Sequence, residues 1–208
     1  MPKGVRRSVD TAEVATEILI EMAGVPSGDD PFSATRSEWW TTVENRHAAA
    51  ESIVTGIAGF DHLVEVAGPT MERCFGRFGR WHGDWVPWNT AVQRTRGGAQ
   101  TLWVWDWEYA ASSAPVGLDV RHRAYQVHRV VGGHSVADSL DFARSSTASV
   151  LSGLGLGADQ QRLLDVAHPV ELLARHRRAA ALGAPVHDEV SDLSDALLAV
   201  VDRSPSAA

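Results

Sequence analysis

Trp81-His82-Gly83-Asp84-Trp85-Val86-Pro87-Trp88-Asn89, followed after a turn by Leu102-Trp103-Val104-Trp105-Asp106-Trp107-Glu108-Tyr109, is the stretch on which the fold turns. His82 and Gly83 open a tight segment, Asn89 follows Asp84 by five positions, and Asp106 closes a second hydrophobic run. Thr90 to Gln93 reads as a short strand, Arg96-Gly97-Gly98 as a hairpin turn and Leu102 to Trp105 as the return strand. Such a ribbon places Asn89 and Asp106, 17 positions apart, at one end. A carboxylate that takes a hydroxyl proton, with an amide and a second carboxylate that hold magnesium on phosphates, is what phosphoryl transfer requires. Magnesium favours oxygen donors of this kind.

The Asp-x-x-x-x-Asn spacing equals that of the protein-kinase catalytic loop, with Gly in place of Arg after the His and Asp-Trp-Glu in place of Asp-Phe-Gly. His82-Gly83-Asp84, Asn89 and Asp106-Trp107-Glu108 together resemble the aminoglycoside phosphotransferase and choline kinase-like family. The resemblance covers about residues 10 to 200 and implies a protein-kinase-like C-terminal lobe. It implies Asp84 as catalytic base, with His82 and Gly83 shaping the loop. It also implies Asn89 and Asp106 as magnesium ligands on ATP or GTP, Glu108 beside the metal, and a small-molecule hydroxyl as acceptor. Gly117-Leu118-Asp119 with His122 fits the same family pattern. Asp119 either caps the helix that follows or reaches back to the catalytic loop, with the cap preferred.

The expected fold is α+β and mostly α, with a small two-stranded hairpin that carries the metal site and no N-lobe sheet. Residues 1–9 are expected to be a flexible terminus, 10–203 the lobe and 204–208 a tail. A first helix is expected from Thr11 through Met22, and 26–35 as a loop. A second helix runs from Trp39-Trp40 to about residue 56 on an alanine-rich face, and a third from Asp61 to Phe75, kinked or split at Pro69. Gly76 and Gly79 lead into the loop. Further helices are expected through Val131, from a Ser135 cap to Leu151, over 158–182 with a break at Pro169, and over 187–202. Ser152 to Gly157 is a glycine-rich link, since it has no preceding strand and no Lys-Ser/Thr.

Six of the eight tryptophans lie between Trp81 and Trp107. They are expected to pack as core beneath the loop, with Trp85 or Trp88 lining the substrate side as the alternative. Arg175-His176-Arg177-Arg178 reads as a solvated helix face.

Composition narrows the class. The chain has 208 residues, 44% hydrophobic and 22% charged, with a formal net charge of −7. That balance argues against nucleic acid as partner. No run is long and apolar enough for a membrane span, and the single cysteine suits a reducing, cytoplasmic setting.

The only lysine is Lys3, with no strand around it. A kinase grips nucleotide phosphates with a strand lysine. The expectation is therefore a truncated phosphotransferase that is complete only with an N-lobe partner, or a non-catalytic partial kinase lobe that serves as an interaction module. An open upper face would favour self-association. A hydrolase built on His82 and Asp84 is disfavoured, because the loop has no second histidine.

Overall fold

The computed structural model describes residues 18, 31–51, 63–94 and 100–202. The expected first helix, apart from Ile18, and both termini lie outside the described residues, as do the Arg96–Gly98 turn and Lys3. Among the described residues the fold is mostly helical, with three two-stranded antiparallel sheets.

Strand β1 (Phe32–Ser33) pairs with β2 (Phe75–Gly76), and a 3-10 turn at Ala34–Arg36 follows β1. The expected loop over 26–35 therefore ends in ordered structure. Helix α1 (Glu38–Glu51) starts at Ser37, whose Oγ accepts from the Trp40 N–H at 3.1 Å. Its buried side is Trp39, Trp40 and Val43, not the alanine face, where Ala48 and Ala49 are exposed. Large indoles bury more apolar area than methyl groups, so they set the helix orientation.

Helix α2 (Leu63–Arg73) buries Leu63, Ala67, Thr70 and Met71, a spacing that lays one stripe on the core. It runs on through Pro69. Pro69 and Glu65, whose carbonyl loses its helical donor, are both exposed, so the missing hydrogen bond is not buried.

Gly76 and Gly79, expected to lead into a loop, lie in β2 and β3 (Phe78–Trp81). A side chain at Gly76 would collide with Leu163 and Gln160. Gln160 fastens this corner: its Oε1 accepts from Arg77 N at 2.6 Å, and its Nε2 donates to Val116 O at 2.9 Å. Strand β3 pairs with β6 (Ala111–Pro115), with a bulge between Gly79 and Trp81. The expected hairpin is present as β4 (Thr90–Arg94) and β5 (Gln100–Val104), in register from Thr90↔Val104 to Arg94↔Gln100. It follows a 3-10 turn at Pro87–Asn89.

Helix α3 (Leu118–Gln126) continues as a π turn over Val127–Val131. Helix α4 (Val136–Gly153) is capped by Ser135, whose Oγ accepts from Asp138 N at 3.1 Å. Helix α5 (Ala158–Ala181) passes Pro169 without the expected break. A helix-interior proline costs about 3 kcal/mol. Here His168, Pro169, Val170, Glu171, Leu172 and Leu173 are all buried, and packing on every side holds the helix together. Helix α6 (Glu189–Asp202) closes the bundle with Val190, Leu193 and Leu197.

Candidate active site

The turn after β3 is shaped by one backbone position. Gly83 has φ +87°, and a Cβ there would lie 2.5 Å from the Tyr109 carbonyl oxygen. Only glycine takes this conformation at so close an approach. The turn is then held from α3. The Asp119 carboxylate accepts from His82 N at 2.7 Å and from Gly83 N at 2.9 Å. The preferred reading of Asp119 as a helix cap is thus corrected: Gly117 occupies the cap position, and Asp119 satisfies two buried N–H groups of the loop. Burial raises the Asp119 carboxyl to about 6, against the pull of those two backbone donors.

His82 is fully buried. Its Nδ1 accepts from Asp84 N at 3.2 Å, and its Nε2 lies 3.0 Å from the Trp105 carbonyl. A carbonyl can only accept, so the ring is assigned as the neutral tautomer with the proton on Nε2. Burial holds its pKa below the ordinary value, which agrees with that assignment.

Asp84 is the hub. Its Oδ2 accepts from Asn89 Nδ2 at 2.8 Å, and its Oδ1 lies 3.3 Å from His122 Nε2. Asn89 Nδ2 also donates to the Asp84 carbonyl at 3.1 Å. Burial pushes the Asp84 carboxyl up, but the hydrogen bond and charge of His122, with the charges of Arg175 and His82, outweigh it and leave the pKa lowered. The His122 imidazole is buried, and this lowers its own pKa against the pull of Asp84. Its contact with Asp84 is therefore a neutral N–H on a carboxylate rather than an ion pair of two full charges.

The hairpin brings Asp106 close by way of its neighbour. Trp105 N donates to Asn89 O at 3.2 Å, while Trp105 O accepts from His82. Asp106 follows with φ +67°, a left-handed conformation that sharply redirects the chain. Its charge is felt at His82. Glu108 is exposed in the turn before Tyr109. No hydrogen bond among the described residues ties the Asp106 or Glu108 side chain to Asp84 or Asn89. Among the same residues no three His, Cys, Asp or Glu side chains gather around a possible metal position.

The tryptophans divide. Trp81 and Trp85 are core, whereas Trp103 (42%) and Trp107 (48%) are substantially exposed, which corrects the expectation of a wholly packed cluster. The Trp107 ring stands 4.5 Å from the His82 ring. The basic run also differs from its expected solvated face. The Arg175 guanidinium lies over the Tyr109 ring at 4.4 Å and the Trp81 ring at 5.2 Å, and its Nε donates to Glu171 at 3.0 Å. Arg177 is buried as well. Arg175 and the role of His122 as partner of Asp84 were not read from the sequence. The signal available was the spacing of Asp119 and His122, three apart and so on one helix face.

No family model matches the chain, and no curated protein matches it. A crystal structure of a choline/ethanolamine kinase family protein from Mesorhizobium loti is similar to it, with a TM-score of 0.52 and 16% identity over 98% of this chain and 68% of that one. At that identity the likeness is one of fold, and on it the chain has a kinase-like fold of mostly helical α+β type with small antiparallel sheets.

Proposed function

We propose that the chain acts as a phosphotransferase that moves the γ-phosphate of ATP or GTP to a hydroxyl of a small molecule. The observation that carries this reading is the Asp84 carboxylate fixed between Asn89 at 2.8 Å and His122 at 3.3 Å, over a loop pinned by Asp119. A lowered pKa keeps Asp84 ionised at neutral pH, ready to orient and accept a hydroxyl proton. As the acceptor oxygen bonds to the γ-phosphorus, the bond from that phosphorus to the bridging oxygen breaks. The proton passes to Asp84, and the nucleoside diphosphate leaves with the bridging-bond electrons. His82 supports this step by holding the backbone of Asp84 and of Trp105 in register.

The donor set suits magnesium. Asn89 turns its Nδ2 to Asp84, which leaves Oδ1 as the remaining acceptor of that amide. The Asp106 carboxylate supplies a second hard oxygen, and Glu108 stands two residues further along. Magnesium bound there would neutralise charge on the nucleotide phosphates.

The alternative is a non-catalytic partial kinase lobe that acts as an interaction module, either with a second polypeptide that supplies the phosphate-gripping lysine or by self-association. It is favoured by the lysine count, since Lys3 is the only one. No described helix is long and apolar enough to cross a membrane. We place the protein in the cytoplasm, with no nucleic-acid partner.

Calorimetric titration of magnesium and ATP into the wild type and Asp106→Ala separates the two readings. Binding by the wild type that weakens in Asp106→Ala supports the phosphotransferase. Absence of binding by both leaves the interaction module.

A further inference from the structure

A cavity of about 500 Å³ opens between α4, α5 and α6, and neither Asp84 nor His82 lines it. Its volume is in the range of small-molecule sites. Three of the residues that line it are Arg121, Asp165 and His168. Arg121 is 3% exposed, and its Nη1 lies 3.0 Å from Asp165 Oδ1. Its Nε and Nη2 are buried without a hydrogen-bond partner. These two nitrogens share one edge of the guanidinium plane and send parallel N–H bonds outward, which is the spacing of the two oxygens of a carboxylate. His168, 4% exposed, has a buried Nε2 that is likewise without a partner. Folded proteins satisfy nearly all such groups, so three unmet atoms on residues that line one cavity point to something that meets them there.

The remaining lining narrows the ligand. Leu140, Leu164 and Pro169 supply apolar wall. Arg121 is matched by Asp165, and Arg144 by Asp141 at 2.8 Å. That leaves Asp192 and Asp195, exposed and three apart on α6, with no ion pair printed among the described residues. One end of the cavity therefore offers a fork for an anion and the other offers two carboxylates. A phosphate group would bring a second negative charge toward Asp165 and Asp141, which disfavours it against a carboxylate.

We propose that this cavity is a second ligand site that takes an amphipathic zwitterion of dipeptide size. Its carboxylate sits on the Nε–Nη2 edge of Arg121 within reach of His168, its apolar body lies along α4 and α5, and its ammonium faces Asp192 and Asp195.

The test is calorimetry on the whole chain with L-leucyl-L-leucine, its C-terminal amide and its N-acetyl form. The dipeptide is expected to bind with a millimolar or lower Kd, and each blocked form at least about tenfold more weakly. The double substitution Asp192→Asn, Asp195→Asn, at exposed positions, is expected to weaken the dipeptide about tenfold while leaving the N-acetyl form unchanged. Ala196→Phe, at another lining position, is expected to abolish binding without a change in the melting curve. Absence of heat up to roughly 20 mM dipeptide, or binding indifferent to both variants, overturns the site and leaves a cavity that holds only water.

Discussion

Asp84 Oδ1 lies 3.3 Å from His122 Nε2, although 38 positions separate the two residues in the chain. Burial alone would raise the carboxyl, and His122 is the first-ranked influence that opposes it. His122→Phe removes both the hydrogen bond and the charge. The Asp84 pKa should then rise, as read by carboxyl ¹³C shifts against pH. The wild-type group has a lowered folded-state pKa, so its stabilising contribution is present above the unfolded value and is lost as pH falls through the folded one. In His122→Phe that acid-side loss of stability should shrink.

Asp84→Ala should abolish nucleotide-dependent transfer, by at least about 10²-fold, the usual contribution of a general base. The carboxyl is partly exposed, and Asn89 Nδ2 keeps the Asp84 carbonyl as an acceptor. The fold should therefore lose only about 1 kcal/mol, a Tm change of about 2–4 °C for a domain of this size. Turnover unchanged in Asp84→Ala would remove the base assignment.

Asp119 should titrate near pH 6 in the folded protein. Its folded-state pKa is raised, so the contribution is fully present below the unfolded value and is lost as pH rises through about 6. A shift of this size corresponds to something on the order of 3 kcal/mol. Urea denaturation between pH 4 and 6 should show stability falling with rising pH, and Asp119→Asn should flatten that slope. Asn offers one carbonyl oxygen where the carboxylate met both His82 N and Gly83 N, so the variant should also lose about 1–3 kcal/mol at every pH.

Gly83→Ala should destabilise the protein by at least about 1–3 kcal/mol, from the strained φ alone. The added Cβ would also meet the Tyr109 carbonyl at 2.5 Å. The two collisions fall on the active loop and on the segment after Asp106, so magnesium-ATP binding should weaken along with Tm. A variant with unchanged melting would show that the turn can relax.

What could be read in advance followed from local signals. The β4–β5 hairpin shows turn residues between apolar runs, and α4 shows Ser135 ahead of a helical pattern. Strands β2, β3 and β6 were not read, because two to five residues such as Ala111-Ser112-Ser113-Ala114-Pro115 have neither β-branched content nor alternation. The break expected at Pro169 was a local rule overridden by burial on all sides of α5. At the site, Asp84 and Asn89 are joined across five residues and were legible from spacing. Asp119, His122 and Arg175 act on the loop from a distance that no window of sequence spans.

The tether between Asp119 and the His82–Gly83 backbone also bears on biosynthesis. A nascent chain leaving the ribosome cannot close the 82–84 turn until α3, 36 to 37 positions later, has followed it out. Arg175, over Tyr109 and Trp81, arrives later still. Contacts of such long sequence separation form slowly, so the reactive carboxylate is assembled among the last parts of the molecule.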